Sequence, residues 1–500
     1  MTNIPDGYSS RLYNEDIAPR SSEGKWGTWE LFAWWMSAWH SLAGYAMAVG
    51  LIVLGINGWQ MALALAIGVI IIYLMSNLMG VAGQRVGVPF PVFARASFGV
   101  FGANIPALLR AVVAVFWYGI QTWLASAVIM ILVLKLWPAT EPLAKGDFMG
   151  LSALGWICFL FLWVVQLIVL HRGIETVRKL SNFAGPAIWV AMAALAVWTL
   201  NRAGWSIDWN YHEANSTLDF GPALIATCAA VFITVAYMAG PMLNFADFTR
   251  LSPSRKAVIR GNGLGLLLNG IAFCVVSVII ALASVKVYGK AIQDPIELMK
   301  DIDNPTLLLL TIIVVVIATA GINVILNFVS PSYDISNAAP KYINFRRGGL
   351  ITAILAIVVT PWNLYSNPVV VNQFIGGVGA LMGPLLGIVL ADYYLVRKAQ
   401  IDAASLYSDA PNGRYYFTRG TNLNSVIALI ISGIITLTFA FAPIFSTIAP
   451  FSWPIGVILG GILCLLVNRM RPNVHARADD LSRQGREEAE AARLRSQAQR

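Results

Sequence analysis

FWYGIQTWLASAVIMILVL, residues 116–134, runs without a single charge, close to the roughly 20 apolar residues an α-helix needs to cross a bilayer. Within it Trp117 and Gln121 stand four positions apart. Four helical steps advance the face by about 400°, so the indole and the carboxamide project from nearly the same side. One offers a flat apolar plate, the other a donor and an acceptor. That combination suits a planar, amide-rich ring, stacked on its face and hydrogen-bonded at its edge. The plainer use of Trp and Gln in membrane helices is interfacial anchoring and interhelical bonding, and for this stretch alone it is the commoner one. Gly119, on another side of the helix, lets a neighbouring element approach closely.

The rest of the chain has the same character. Hydrophobic residues make up 58% and charged residues 12% of the 500, against roughly 25% charged in soluble domains. Apolar runs of bilayer length recur throughout, and the sequence predicts an all-α integral membrane protein. Twelve transmembrane helices are expected, at 28–55, 60–83, 103–136, 150–171, 180–200, 221–243, 262–287, 305–330, 348–366, 370–396, 423–443 and 449–468. Residues 1–27 are polar and show no cleavable signal peptide. Residues 471–500, rich in Ala, Arg, Glu and Gln, read as a solvated charged tail. Cys158, Cys228, Cys274 and Cys464 all fall inside spans, without disulfide or zinc spacing, and read as packing residues.

Lysine and arginine set the orientation. With the N-terminus in the cytoplasm, only Lys135, Lys145, Arg202, Lys286, Lys290 and Lys300 of the 34 fall outside, a split of 28 to 6. An odd number of spans would scramble that split, so both termini are expected in the cytoplasm of a cell inner (plasma) membrane protein. The net charge of +9 is then a topology signal, and no aromatic-interleaved basic patch points to nucleic acid.

Inside the spans, charges are scarce. Asp247, Asp334 and Asp392 sit near cytoplasmic span ends and Glu30 near the start of the first span, too few for a voltage sensor or a charged selectivity filter. The polar groups at mid-span are His40, Ser41, Gln121, Thr234, Asn323 and Asn327, a lining that suits an uncharged polar solute. Two spans look interrupted: the first at Trp39-His40-Ser41-Leu42-Ala43-Gly44, the sixth at Tyr237-Met238-Ala239-Gly240-Pro241. Either alone reads as an ordinary kink. Five spans apart, together, they point to an inverted-repeat transporter with its site at mid-bilayer. His40 is the one group at a span centre that ordinarily titrates near neutrality, which makes it a candidate for proton coupling.

Five segments, in order, resemble the nucleobase–cation symporter-1 family, especially its hydantoin, allantoin and uracil branch. They are YNEDIAP (13–19) with KWGTWELFAWW (25–35), VPFPVFARASFGVFGANIPALLRAVVAVFWYGIQTW (88–123), NFADFTR (244–250), NVILNFVSPSYDISN (323–337) and GPLLGIVLADYYLVRKAQID (383–402). The resemblance spans roughly residues 10–445. It implies a LeuT-like fold of two inverted five-helix repeats, 28–200 and 221–396, plus two C-terminal helices within 423–468, working by alternating access. It implies that Trp117 stacks on the substrate ring, that Gln121 and Asn327 bond it, and that Ser41, beside His40, is the polar first-helix position.

Two departures follow from the same comparison. The sixth-helix tryptophan usual in the family is replaced by Met238, with Tyr237 adjacent, so the second plate is either a tyrosine in a shifted register or a softer methionine contact. The paired hydroxyls of a sodium site in the eighth helix are replaced by Gly321 and Ile322, leaving backbone carbonyls of Ser37, His40 and Ala318 as donors. Losing two oxygens argues against tight sodium binding. The expected function is therefore a secondary active symporter importing a neutral nitrogen heterocycle such as uracil, allantoin or a hydantoin, with a proton as the coupling cation. The alternatives are a permease for cytosine, a purine or a vitamin-like ring, or a sodium-coupled hydantoin-type symporter. No cofactor is implied. An integral-membrane enzyme is disfavoured, since His40, His171, His212 and His475 are too scattered to suggest a metal set.

Overall fold

The computed structural model describes residues 4–20, 24–213, 217–293, 323–365 and 368–471, with isolated positions at 297, 309, 312, 313, 316 and 321. Ala318, Ile322 and the tail from 472 onward lie outside the described residues. The described residues contain no strand beyond two isolated bridges, Phe148 with Leu151 and Thr418 with Thr421. Nine helices among them are long and apolar enough to cross a bilayer, and the bent pair Thr28–Trp39 and Leu42–Leu54 supplies a tenth crossing. The other two expected spans are the eighth, described continuously only from residue 323, and the ninth, Phe345–Val359, a helix of 15 residues.

Both expected interruptions are present, one of them displaced. The first span bends by 61° between Trp39 and Leu42. Ser41 makes the break: its backbone is extended, and its hydroxyl accepts the Gly44 N–H at 2.9 Å, capping the second half-helix. In the sixth span the helix Phe220–Tyr237 stops at Met238 and restarts as Ala239–Leu243. The break therefore precedes Gly240-Pro241, because proline is tolerated in the first turn of the new segment and not in the interior of the old one.

Wide turns, in which the backbone bonds reach five residues, occupy Gly263–Leu268, Val324–Phe328 and Asp392–Val396. Sequence periodicity gave no sign of them.

Lipid-facing packing cannot rely on apolar attraction between helices, so close approach and hydrogen bonds replace it. The tenth helix, Pro368–Ala391, and the twelfth, Ser452–Met470, meet on glycine: a Cβ on Gly383 would stand 2.5 Å from the Trp453 carbonyl oxygen, and one on Gly460 2.5 Å from that of Pro384. Side chains of the second span such as Leu63, Ile70 and Leu74 point outward, as lipid contact requires. Trp34, Trp35 and Trp39 of the first span are fully buried. Trp34 lies 5.0 Å from Phe245 and 4.9 Å from Phe248, fastening the first half-helix to the end of the sixth span.

The N-terminal segment lies over one end of the bundle. Tyr8 stacks on Tyr407 at 4.8 Å, Asn14 donates to the carbonyls of Pro340 and Ile343, and Arg250 donates to those of Asp16 and Ala18. Arg20 donates to the Ser252 carbonyl. At the same end Arg95 donates to Asn337 Oδ1 and to the Leu406 carbonyl. Burial pulls its guanidinium down to about 10, so it stays charged at neutral pH.

Candidate functional site

The third span, Asn104–Leu136, is a single helix of 33 residues, and Trp117 and Gln121 share its inward face. Both are buried, at 7% and 3% exposure. With Arg110, Val113, Tyr237, Met238, Gly240, Pro241, Leu326 and Asn327 they line one cleft where the broken sixth span meets the third and eighth. Its free volume is about 20 Å³, roughly what one water requires. In this arrangement the side chains leave no room for a planar ring.

The polar groups around it are unevenly satisfied. Tyr237 and Ser41 place their hydroxyl oxygens 3.2 Å apart. Gln121 Nε2 reaches Ser41 Oγ at 3.5 Å, the outer limit of a bond, while its Oε1 has no partner among the described residues. Asn327 Nδ2 donates to Asn323 Oδ1 at 3.2 Å. Asn323 Nδ2 in turn meets the Tyr118 carbonyl, Thr122 Oγ1 and Gln166 Oε1 within 3.0 Å, which locks the eighth span against the third and fourth. Asn327 sits inside the wide turn Val324–Phe328, a distortion that favours functional positions.

Each expected ring-site residue has a definite place. Trp117, Gln121, Asn327, Tyr237 and Met238 converge on the cleft. Ser41 joins them through its bonds to Tyr237 and Gln121. His40 turns the other way: it is 2% exposed and packs on Trp189 at 4.9 Å and Phe273 at 4.7 Å, outside the cleft lining. The Tyr237 ring stands at 85° to Trp117 with centroids 5.4 Å apart, so the two rings meet edge to face and do not form parallel plates. Phe374 of the tenth helix also meets Trp117, at 5.3 Å and 64°. The hydroxyl of Ser37 donates to the Ser181 carbonyl at 3.3 Å. A Cβ on Gly321 would lie 3.1 Å from that of Ala184. Among the described residues no group of three or more His, Cys, Asp or Glu could hold a metal ion.

Arg110 and Phe374 were not anticipated. Arg110 stands seven residues before Trp117, two helical turns, and so on the same face. Read only as a topology charge, it hides that the cleft has a cation on its wall. Phe374 had no local signal, since a phenylalanine in an apolar span looks like any other.

The family described as permeases for cytosine/purines, uracil, thiamine and allantoin matches residues 19–458. The chain is 34% identical over 466 residues to the allantoin permease of Bacillus subtilis, covering 93% of this chain and 94% of that protein. It is 32% identical over 453 residues to the purine-uracil permease of Arabidopsis thaliana, covering 89% and 74%. In three dimensions it superposes on Mhp1, a nucleobase-cation-symport-1 family transporter in a closed conformation with bromovinylhydantoin bound, with a TM-score of 0.75, 22% identity and coverage of 94% and 99%. A sodium-coupled sialic acid symporter shares the fold at a TM-score of 0.61 and 13% identity.

Proposed function

Because this chain belongs to the permease family for cytosine/purines, uracil, thiamine and allantoin, and is a multi-pass membrane transporter, we propose that it imports a neutral nitrogen heterocycle by alternating access. Allantoin, a hydantoin or uracil is the substrate class, and a proton the coupling cation. The observation that carries the reading is the convergence of Trp117, Gln121 and Asn327 on one cleft at the break of the sixth span, with Ser41 of the first-span break bonded to Tyr237 and Gln121 of its lining. Trp117 stacks on the ring face once the cleft opens. Gln121 Oε1, lacking a partner, accepts a ring N–H. Asn327, held from behind by Asn323, meets another edge. Met238 and Tyr237 stand opposite, the tyrosine edge-on, so the second face of the ring meets a thioether and a ring edge. Ser41, and His40 beyond it, couple the ring site to the first-span break.

The 28 to 6 split of Lys and Arg supports both termini in the cytoplasm of the inner (plasma) membrane, with the end covered by the N-terminal segment facing inward. Replacement of the eighth-helix hydroxyls by Gly321 and Ile322 supports proton over sodium. His40, Ser37 and Ala318 are the residual cation candidates; a hydantoin-type sodium symporter, or a permease for cytosine, a purine or a vitamin-like ring, is the competing assignment. The test is accumulation in proteoliposomes. Labelled allantoin and uracil are offered under an imposed pH gradient, with a panel of unlabelled cytosine, purines, thiamine and hydantoins as competitors. Uphill accumulation of one of the two probes is expected. Equilibration without accumulation would mean a channel or an uncoupled carrier, and uptake that collapses when sodium is replaced by choline at fixed pH would mean sodium coupling.

A further inference from the structure

At the covered end of the bundle a groove of about 510 Å³ runs between the fourth span, Ala153–His171, and the ninth, Phe345–Val359. Asp16 of the N-terminal segment accepts the Phe345 N–H at 2.9 Å, which fixes the start of the ninth helix at that end. The groove shares no lining residue with the ring cleft, and small-molecule sites ordinarily occupy about 300–1,000 Å³.

The packing behind it is tight. A Cβ on Gly349 would overlap Leu170 Cδ2, and Trp163 Nε1 donates to the Ala353 carbonyl at 3.0 Å. The two helices thus form a fixed corner. Val164, Ile168 and Leu350 of its wall are 46%, 50% and 43% exposed, apolar side chains turned outward where lipid tails lie.

The rim has a different chemistry. His171 and Arg172 close the fourth span, Arg346 and Arg347 open the ninth, and all four are exposed. No acidic residue is among the described lining. Elsewhere at this end arginines are neutralised, Arg178 by Glu30 and Glu175, and Arg397 by Asp392. Among the described residues none of the three groove arginines forms an ion pair. Arg347 Nη1 donates to the Tyr342 carbonyl at 2.6 Å, which engages one of its five N–H donors. Tyr342 itself is 66% exposed, with Lys341 Nζ 5.5 Å over its ring. Exposed tyrosine beside lysine marks the headgroup level of a bilayer. A topological bias explains cations at this end, but not their gathering, unpaired, around an apolar groove.

We propose that this groove binds an anionic phospholipid of the surrounding leaflet. Its phosphodiester is held by Arg172, Arg346 and Arg347, and an acyl chain lies along Val164, Ile168 and Leu350. Guanidinium forks match phosphate oxygens in pairs, and basic pockets between membrane helices suit such headgroups. A zwitterionic headgroup would bring its own cation to a rim that already holds three. A soluble phosphate would fill the rim and leave the apolar wall bare.

The test uses the full chain purified in detergent, with dioctanoyl phosphatidylglycerol as the probe and dioctanoyl phosphatidylcholine as its zwitterionic match. The readout is the thermal midpoint, which needs no transported substrate and so stands or falls apart from the transport reading. Phosphatidylglycerol is expected to raise the midpoint, and phosphatidylcholine at the same concentration to leave it nearly unchanged. Arg172→Gln, Arg346→Gln and Arg347→Gln should each raise the phosphatidylglycerol concentration required by about fivefold, and all three together by about 100-fold. A control combines Arg255→Gln, Lys256→Gln and Arg260→Gln, at exposed positions of the helix Arg255–Asn262 past the sixth span. It should respond like the unaltered protein. Equal stabilisation by the two lipids, an unchanged response in the groove variants, or the same loss in the control overturns the proposal. So does an equal rise with glycerol phosphate, which would make the rim a site for a free anion.

Discussion

Ser41 and Tyr237 hold their hydroxyl oxygens 3.2 Å apart across the centre of the bundle, one at the break of the first span and the other at the break of the sixth. This contact joins the two interrupted helices at the level of Trp117 and Gln121. Tyr237→Phe removes it and leaves Ser41 its bond to the Gly44 N–H. The expected cost is about 0.5–1.5 kcal/mol of stability, read as a small fall in thermal midpoint in detergent, with a change in transport rate larger than the change in binding.

Trp117→Ala should weaken binding of the transported ring by about 1–3 kcal/mol, the range found when an aromatic platform is removed from a stacked base. Titration calorimetry on the purified variant checks it, with a melting curve to establish folding. Binding equal to that of the unaltered protein would remove Trp117 from the site.

Gln121→Leu keeps the volume and deletes the carboxamide. A ring N–H buried against leucine goes unpaired, which costs about 1–3 kcal/mol. The loss should be larger for rings bearing two amide edges than for N-methylated analogues, a comparison that a competition series measures directly.

Gly119→Ala probes the scaffold. A Cβ there would stand 2.4 Å from Pro361 Cγ, and a proline ring has little freedom to yield. Overpacking of this kind costs about 1–3 kcal/mol, so the variant should melt earlier while its ring affinity, if it folds, stays close to that of the unaltered protein.

Sequence carried much of this arrangement. Run length located ten of the twelve expected crossings among the described residues, since it reports directly on the bilayer. The interruption at residues 39–44 and the shared face of Trp117 and Gln121 followed from local composition and spacing, while the capping role of Ser41 appeared only in the fold. What escaped was non-local or off-period. The direction of the His40 ring depends on Trp189 and Phe273 from the fifth and seventh spans. The edge-on stance of Tyr237 follows from where its hydroxyl finds Ser41. Phe374 reaches Trp117 only through the packing of the tenth helix. Arg110 was legible by its spacing, yet a charge inside a span reads first as a statement about topology.

The wide turn at Val324–Phe328 also fixes a register. A turn bonded over five residues takes up one more residue than an ordinary helical turn, so it behaves as a one-letter insertion written into the eighth helix. Its Leu326 carbonyl is the one that receives Arg110. Deleting a single residue there should rewind the helix, withdraw that acceptor and rotate Asn323 relative to Asn327. The extra residue thus sets the angle at which Asn327 of the cleft stands to Asn323, its anchor one turn earlier.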